Sequence, residues 1–217
     1  MKINLYLIRH AESKANENVF YKLLLDPNIS EDGIVQCQKL GKFLEQENMI
    51  QQRTHVYCSI LVRSQETALL SIPKKKVRVV NHLKEYENPM EMLFSYRGSN
   101  FPILNVNDQQ KKIKKVVKSR FKKRLSYQKG IVKKNEYIPS VSMENGNILK
   151  FLKENKHNWK ENDIVVVVCH GKLIQEFLKK PKEVENCSVI KVKNLKKDMF
   201  QVNTPQKKKT YKVLFKG

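Results

Sequence analysis

The sequence predicts an α/β fold, a three-layer sandwich in which helices cover both faces of a mainly parallel central sheet. Apolar runs of strand length occur at residues 3–8, 55–59 and 164–169, and such runs are typical of strands buried on both faces. Segments with helical spacing separate these runs, which indicates alternating strands and helices. Polar residues of chemical interest follow several runs, at the edge where open α/β sheets bind ligands.

Composition and length fit one folded domain over residues 1–217. The hydrophobic fraction of 40% and the few Gly and Pro residues argue against disorder. No apolar run is long enough to span a bilayer, and the N-terminus shows no signal-peptide pattern. The four cysteines are scattered, so neither a zinc site nor a disulfide framework is suggested. We therefore expect a reducing, intracellular location, in the cytoplasm.

The net charge is +22. A balance this positive implies attraction to polyanions, such as nucleic acid, anionic lipid or a phosphorylated substrate. A lysine-rich composition also arises from codon bias. The charge alone therefore does not choose among these partners.

The first apolar run, residues 3–8, ends in Arg9 and His10. Arginine is a permanent cation whose planar fork of donors fits phosphate oxygens. Neutral imidazole is a nucleophile near pH 7 and can form a covalent intermediate. A histidine at a strand end also commonly caps or packs, so this dipeptide alone does not decide the function.

The next two elements place a second arginine near the same edge. We expect a helix from Ser30, a good N-cap followed by acidic residues, to about residue 47. Its apolar face comprises Ile34, Cys37, Leu40 and Leu44. The second strand, residues 55–59, is followed by a helix that opens near Arg63. An arginine at the mouth of a helix is well placed for an anion.

Two further strand ends carry candidate site residues. A third strand, residues 77–80, is followed by the carboxylates Glu85 and Glu87. The clearest buried strand, residues 164–169, ends in His170. Since the carboxyl ends of parallel strands meet at one edge of a sheet, these side chains and those after the first two strands can converge on one crevice.

The C-terminal half continues the alternation of helices and strands. Helices are predicted at residues 147–157 and 172–179. Closing strands are predicted at residues 189–192, 199–202 and 211–215. The sequence contains no internal repeat.

The pattern is poorer at residues 89–146, which we interpret as a basic helical insertion over the site. One good helix could not bury much core alone. This helix, residues 111–124, has an apolar stripe of Ile113, Val116, Val117, Phe121 and Leu125. Its opposite face is basic: Lys111, Lys112, Lys114, Lys115, Lys118, Arg120, Lys122, Lys123 and Arg124. We expect polyanion contact through this helix, although a charged helix face is most often simply solvated.

Four segments, in order, resemble the motifs of the histidine phosphatase superfamily, also called the phosphoglycerate mutase-like family. They are Arg9-His10-Ala11-Glu12 with Asn16, and then residues 29–33, 59–68 and 168–171. The resemblance covers roughly residues 1–88 and 147–180. Ala11 is a departure, because the family commonly has a glycine there, which allows unusual backbone dihedrals.

The resemblance implies a phosphatase that hydrolyses a phosphomonoester through a phosphohistidine intermediate. His10 would be the nucleophile that takes the phosphoryl group. Arg9, Arg63 and His170 would bind the phosphoryl oxygens and stabilise the charge of the transition state. With three such groups no metal or cofactor is needed.

The resemblance also implies roles for four flanking residues. Ser13 and Asn16 would line the phosphate pocket. Glu85 would protonate the leaving oxygen and then activate water. Glu87 is a live alternative for this acid, because the family's Gly-rich continuation after Glu85 is missing.

Two other functions stay open beside the phosphatase, which would act on a phosphorylated small molecule or a phosphoprotein. One is a phosphoglycerate mutase, but the mutases resembled here carry a Trp- and Gly-rich stretch where this chain has residues 17–25. The other is a non-catalytic basic module that binds nucleic acid or anionic membrane. The basic helix has little aromatic interleaving for stacking bases, so we favour the phosphatase.

Overall fold

A seven-stranded sheet forms the centre of the molecule. The computed structural model describes residues 2–14, 26–85, 104–118, 121–128, 146–179, 183–193 and 211–217. Its strands are β1 (Asn4–Arg9), β2 (Thr54–Ser59), β3 (Val77–Val80), β4 (Leu125–Tyr127), β5 (Ile164–Cys169), β6 (Val189–Val192) and β7 (Tyr211–Phe215). Their order is β4-β3-β2-β5-β1-β6-β7. The first five strands in that order are parallel, β6 is antiparallel to β1, and β7 is antiparallel to β6.

Helices cover both faces of this sheet, which confirms the predicted three-layer architecture. They are α1 (Glu31–Gln46), α2 (Val62–Ser71), α3 (Val106–Val116), α4 (Ile148–Asn155) and α5 (Gly171–Leu178). Tyr6 and Ile8 of β1 pack in the core with α1, α2 and α3. Leu5 and Leu7 point the other way, into the core with α4 and α5. No helix within the described ranges is long and apolar enough to cross a membrane.

The start of α1 is tied to the loop that follows β1. As predicted, Ser30 is the N-cap, and its Oγ accepts a hydrogen bond from the Gly33 N–H at 3.0 Å. The Ser30 N–H donates to the Glu12 carbonyl at 3.0 Å. A Cβ at Gly33 would overlap that same carbonyl oxygen, so a glycine is required for α1 to approach this loop so closely.

The predicted basic helix over residues 111–124 is wrong in its extent. The helix ends at Val116, and residues 125–127 form β4, which pairs in parallel with β3. Phe121 and Leu125 pack in the same core as Ile113. Their helix-like apolar spacing therefore arises from a helix and a strand that face one core. Of the predicted insertion at residues 89–146, α3 packs on the sheet and β4 is one of its strands. An insertion over the site stays a prediction, and residues 89–103 and 129–145 lie outside the described ranges.

Three members of the predicted basic face have partners in the part of the chain that the structure describes. Lys111 Nζ lies 2.9 Å from Asp108 Oδ1. Lys112 Nζ donates to the Asp26 carbonyl at 2.9 Å, and Arg124 donates to the Leu69 carbonyl at 3.1 Å near the end of α2. Arg120 lies outside the described residues, and the exposed basic residues among the described ones are Lys111, Lys114, Lys115, Lys118, Lys122 and Lys123. Contact of these lysines with a polyanion stays a prediction.

The predicted strand at residues 199–202 lies outside the described residues.

Candidate active site

The carboxyl ends of three parallel strands bring His10, Arg63 and His170 together. His10 follows β1 and His170 follows β5, and these two strands are paired neighbours. The two buried rings meet edge to face, with centroids 5.1 Å apart. Arg63, in the first turn of α2 after β2, reaches both: its Nε lies 3.2 Å from His10 Nε2 and its Nη2 lies 3.5 Å from His170 Nδ1. The convergence expected from the strand ends is therefore present for these three side chains.

The His10 ring has a defined proton arrangement. Its Nδ1 lies 2.6 Å from the Ala11 carbonyl oxygen. A carbonyl oxygen only accepts hydrogen bonds, so Nδ1 carries the proton and Nε2 keeps its lone pair. Burial, assisted by the Arg63 charge and by His170, holds the pKa of His10 well below its ordinary value. The ring is therefore neutral, and Nε2 is a nucleophilic nitrogen that accepts the Arg63 Nε–H.

His170 is held at both ring nitrogens. Nδ1 lies 3.1 Å from Glu85 Oε2, and Nε2 lies 2.8 Å from Ser59 Oγ. Because a carboxylate only accepts, Nδ1 donates to Glu85. Burial lowers the pKa of His170, and the Glu85 carboxylate opposes that effect. In the neutral ring the Ser59 hydroxyl donates to Nε2.

Glu85 completes the cluster. Its Oε2 lies 3.5 Å from Arg63 Nη2, and its Oε1 is buried without a hydrogen-bond partner in the described part of the chain. Burial acts to raise the pKa of this carboxyl, but His170 and Arg63 outweigh burial and hold it below its ordinary value. Glu85 is thus a carboxylate in this structure. Glu87, the alternative acid, lies outside the described residues.

Arg9 lies beside this cluster. Its Nη1 donates to Glu183 Oε1 at 2.9 Å and to the Val184 carbonyl. A Cβ at Gly171 would lie 3.3 Å from Arg9 Nε, so glycine lets the guanidinium lie against the start of α5. The Nε itself is buried and has no hydrogen-bond partner among the described residues. One donor of Arg9 is therefore still available, and phosphate binding by Arg9 stays a prediction.

The remaining predicted pocket residues are less informative. Ser13 is buried and forms a backbone bridge with Ile29. Asn16 lies outside the described residues, so a pocket-lining role stays a prediction for both. Ala11 does not have a positive φ, and its N–H donates to Thr67 Oγ1 at 2.9 Å. This position therefore does not need the conformational freedom of the family's usual glycine.

Comparisons with known proteins agree with this geometry. The family model of the histidine phosphatase superfamily (branch 1) matches residues 5–93, a range that includes Arg9, His10, Arg63 and Glu85. The whole fold is similar to a proposed alpha-ribazole-5'-P phosphatase of Escherichia coli K-12, with a TM-score of 0.53 at 17% identity over 98% of this chain and 96% of that chain. Residues 5–93 of this chain are therefore similar to the histidine phosphatase superfamily, and the fold over the rest of the chain is similar to that of the phosphatases found by structure.

Two phosphoserine phosphatases are also similar to this chain. Phosphoserine phosphatase 1 of Hydrogenobacter thermophilus is 38% identical over 78 residues, which are 36% of this chain and 35% of that protein. A mutant phosphoserine phosphatase of Entamoeba histolytica, in complex with phosphoserine, matches with a TM-score of 0.51 at 19% identity, over 88% of this chain and 90% of that chain. At these identities the structural similarities show the fold alone.

Sequence reasoning missed two residues that contact this cluster. Ser59 is the last residue of β2, and the strand-end rule that selected His10 could have selected it. Asp26 is the other. Its carboxylate oxygens accept from the Val62 N–H at 2.9 and 3.0 Å, and Oδ1 lies 3.9 Å from Arg63 Nη1. No sequence signal tied Asp26 to the start of α2, because 36 residues separate the two partners.

The two histidines and the glutamate of this cluster are also residue types that bind metal ions. One ligand atom each of His10, Glu85 and His170 lie within 4.8 Å of one another, a spacing that a single ion can bridge. Arg63, however, approaches all three at 3.2 to 3.5 Å. Its permanent charge would repel a cation among them and attract an anion. The charges of the site therefore suit a phosphoryl group better than a metal ion.

Proposed function

We propose that this chain is a phosphatase that hydrolyses a phosphomonoester through a phosphohistidine on Nε2 of His10. The observation that carries the proposal is the proton arrangement of His10. Its Nδ1 is committed to the Ala11 carbonyl at 2.6 Å, and its Nε2 lone pair faces Arg63 Nε at 3.2 Å. A neutral nucleophile beside a fixed cation is what transfer of an anionic phosphoryl group requires.

In the first step the phosphoryl oxygens bind to the cationic side of the cluster. Arg63 turns its Nε–H from His10 to the substrate, and Arg9 Nε supplies a second donor. Nε2 of His10 then forms a bond to phosphorus while the bond to the leaving oxygen breaks. The negative charge of the substrate raises the pKa of Glu85, so that its carboxyl can carry the proton that the leaving oxygen takes.

In the second step water attacks the phosphohistidine. The Glu85 carboxylate accepts a proton from this water, the bond between nitrogen and phosphorus breaks, and inorganic phosphate leaves. The neutral His10 ring is restored. The bound anion also raises the pKa of His170, and the positive charge of the protonated ring stabilises the charge on the phosphoryl oxygens.

We propose that this reaction needs no metal ion, because Arg63, Arg9 and protonated His170 supply the positive charge. The proposed substrate is a phosphorylated small molecule or a phosphoprotein. The small molecule is favoured, since the similar proteins are named for phosphoserine and, in the case of the proposed phosphatase of Escherichia coli, for alpha-ribazole-5'-P.

The test is hydrolysis of an aryl phosphate in EDTA by the wild type, by His10→Ala and by His157→Ala, an exposed histidine that serves as the matched control. We expect His10→Ala to lose at least about 10⁴-fold in turnover, since the nucleophile is removed, while His157→Ala keeps wild-type turnover. Rapid acid-free quenching with radiolabelled substrate should trap phosphohistidine in the wild type and in His157→Ala, and none in His10→Ala. Turnover or labelling that survives in His10→Ala would reject the proposal.

The same assay separates the alternatives. Release of inorganic phosphate to water supports the phosphatase, and return of the label to a sugar acid identifies a mutase. No turnover by well-folded wild-type protein on a panel of phosphomonoesters would favour the basic binding module.

A further inference from the structure

Two buried acidic side chains join residues 26–29 to α2: each of these two segments supplies one side chain, which accepts hydrogen bonds from the other segment. Asp26 belongs to the first segment, and its carboxylate accepts from the Val62 N–H in the first turn of α2. Glu66 belongs to α2, and its Oε2 accepts from the Ile29 N–H at 2.9 Å while its Oε1 accepts from Asn28 Nδ2. The two elements are therefore bound to each other at both ends of one helical turn.

Arg63 lies within this turn, one residue after Val62 and three before Glu66. Its Nη1 is 3.9 Å from Asp26 Oδ1. Its backbone carbonyl accepts from Thr67 Oγ1 at 2.7 Å, and the same hydroxyl accepts from the residue after His10. The backbone and the guanidinium of Arg63 are thus both fixed relative to the nucleophile.

Burial of these two acidic side chains is costly, which calls for a reason. Glu66 has no exposed surface and Asp26 is 7% exposed, and removing an acidic group from water is unfavourable unless hydrogen bonds partner it. Burial raises the pKa of Glu66 to about 8, so this side chain is mainly the neutral acid at pH 7. Asp26 also adopts a left-handed backbone conformation, with φ of 48°, which is unfavourable for a residue with a side chain. The cations that face Asp26 are Arg63 and Lys112.

We propose that Asp26 and Glu66 are positioning residues that hold Arg63 in the orientation in which it binds the phosphoryl group. The proposal rests on the proposed function. Asp26 attracts one edge of the guanidinium and fixes the start of α2, and Glu66 fixes Asp26 by anchoring its segment. The other edge of Arg63 is then directed at His10 and Glu85. Entry of phosphate requires a small reorientation of Arg63 rather than the ordering of a long, mobile side chain, which reduces the entropic cost of binding.

The test is a double-mutant cycle between Asp26→Asn and Arg63→Ala, with Asp32→Asn as the matched control on the exposed first turn of α1. Affinity for inorganic phosphate is measured by calorimetry, and kcat/KM with an aryl phosphate. We expect Asp26→Asn to lower both about tenfold in the wild-type background. In the Arg63→Ala background it should lower them less than about twofold, because the group it acts through is gone. Equal losses in both backgrounds would overturn the proposal.

A second measurement serves if a variant fails to fold. Burial raises the pKa of Asp26 to about 6, with Arg63 and Lys112 opposing, and Glu66 is the other acid that faces it. The Arg63 Nε–H resonance of the wild type should therefore shift as pH falls through about 6, and inorganic phosphate affinity should fall with it. A resonance that does not move in this range would reject the role of Asp26.

The proposed function and this inference fail separately. Phosphate affinity that is coupled between Asp26 and Arg63 in a protein without turnover would support the positioning role and reject the phosphatase. Normal phosphate affinity in Asp26→Asn, with turnover retained, would do the reverse.

Discussion

His10 and His170 end neighbouring strands of one sheet, and both rings are buried, yet their ring nitrogens have different partners. His10 donates a hydrogen bond from Nδ1 to a backbone carbonyl, and its Nε2 accepts one from the Arg63 N–H. His170 has a carboxylate at Nδ1 and a hydroxyl at Nε2. One ring therefore keeps a reactive nitrogen, whereas the other is held at both.

Partners, rather than position in the sheet, therefore distinguish the two rings. The Ala11 carbonyl fixes the tautomer of His10, and burial together with the Arg63 charge lowers the pKa of this ring and keeps it neutral. The Glu85 carboxylate favours a proton on His170, so that ring is the better candidate to become a cation when an anion binds. The predictions below test whether the His10 and His170 rings have these different roles.

The largest difference is expected between the two alanine variants. His170→Ala should lower kcat/KM about 10²- to 10³-fold, because one stabiliser of the phosphoryl charge is lost. It should still form labelled phosphohistidine, slowly, whereas His10→Ala should form none. Quench-flow labelling of both variants measures this, with His157→Ala as the control. Labelling that survives in His10→Ala and disappears in His170→Ala would reverse the two roles.

A smaller effect on the rate of hydrolysis is expected from substitution of Glu85, the carboxylate that accepts a hydrogen bond from His170. Glu85→Gln should slow hydrolysis of an alkyl phosphate about a hundredfold, because the leaving alkoxide needs a proton. A nitrophenyl phosphate should be slowed much less, since its leaving group needs none. The measurement is kcat for a series of leaving groups of graded pKa. An equal loss across the series would assign the acid role to Glu87 or to water.

The sequence was enough to predict which residues meet at the carboxyl edge of the sheet, because strand ends are visible as the places where buried apolar runs stop. This rule selected His10, Arg63, Glu85 and His170, which the structure brings together, and their catalytic roles stay a prediction. It could not supply their partners. The Ser59 hydroxyl on His170 depends on the lateral order of β2 and β5, which is a property of the folded sheet.

The overall architecture of the fold was also predictable from the sequence, but the extent of one helix was not. The three-layer sandwich follows from continuous apolar strands separated by amphipathic helices. The helix predicted for residues 111–124 was wrong because the spacing of Ile113, Phe121 and Leu125 matches one helical face as well as a helix followed by a strand. A periodicity alone cannot separate the two when both elements face one core.

The smallest predicted effect concerns stability against pH. Burial lowers the pKa of both rings. Glu85 opposes this at His10 through its charge alone, and at His170 through its charge and a hydrogen bond. A histidine whose pKa is lowered on folding stabilises the protein above about pH 6.5, and this stability is lost as pH falls towards the lowered pKa. His10→Gln should therefore reduce the loss of unfolding free energy between pH 7 and pH 5 more than His170→Gln does.

Glu66 acts in the opposite direction over part of this range. Burial raises its pKa to about 8, so its contribution to stability is greatest below about pH 4.5 and is lost as pH rises through about 8. The two histidine variants must therefore be compared with each other at each pH, in urea titrations, so that the Glu66 contribution cancels. Equal acid-side slopes in His10→Gln and His170→Gln would show that Glu85 does not distinguish the rings, and would remove the electrostatic basis for assigning them different roles.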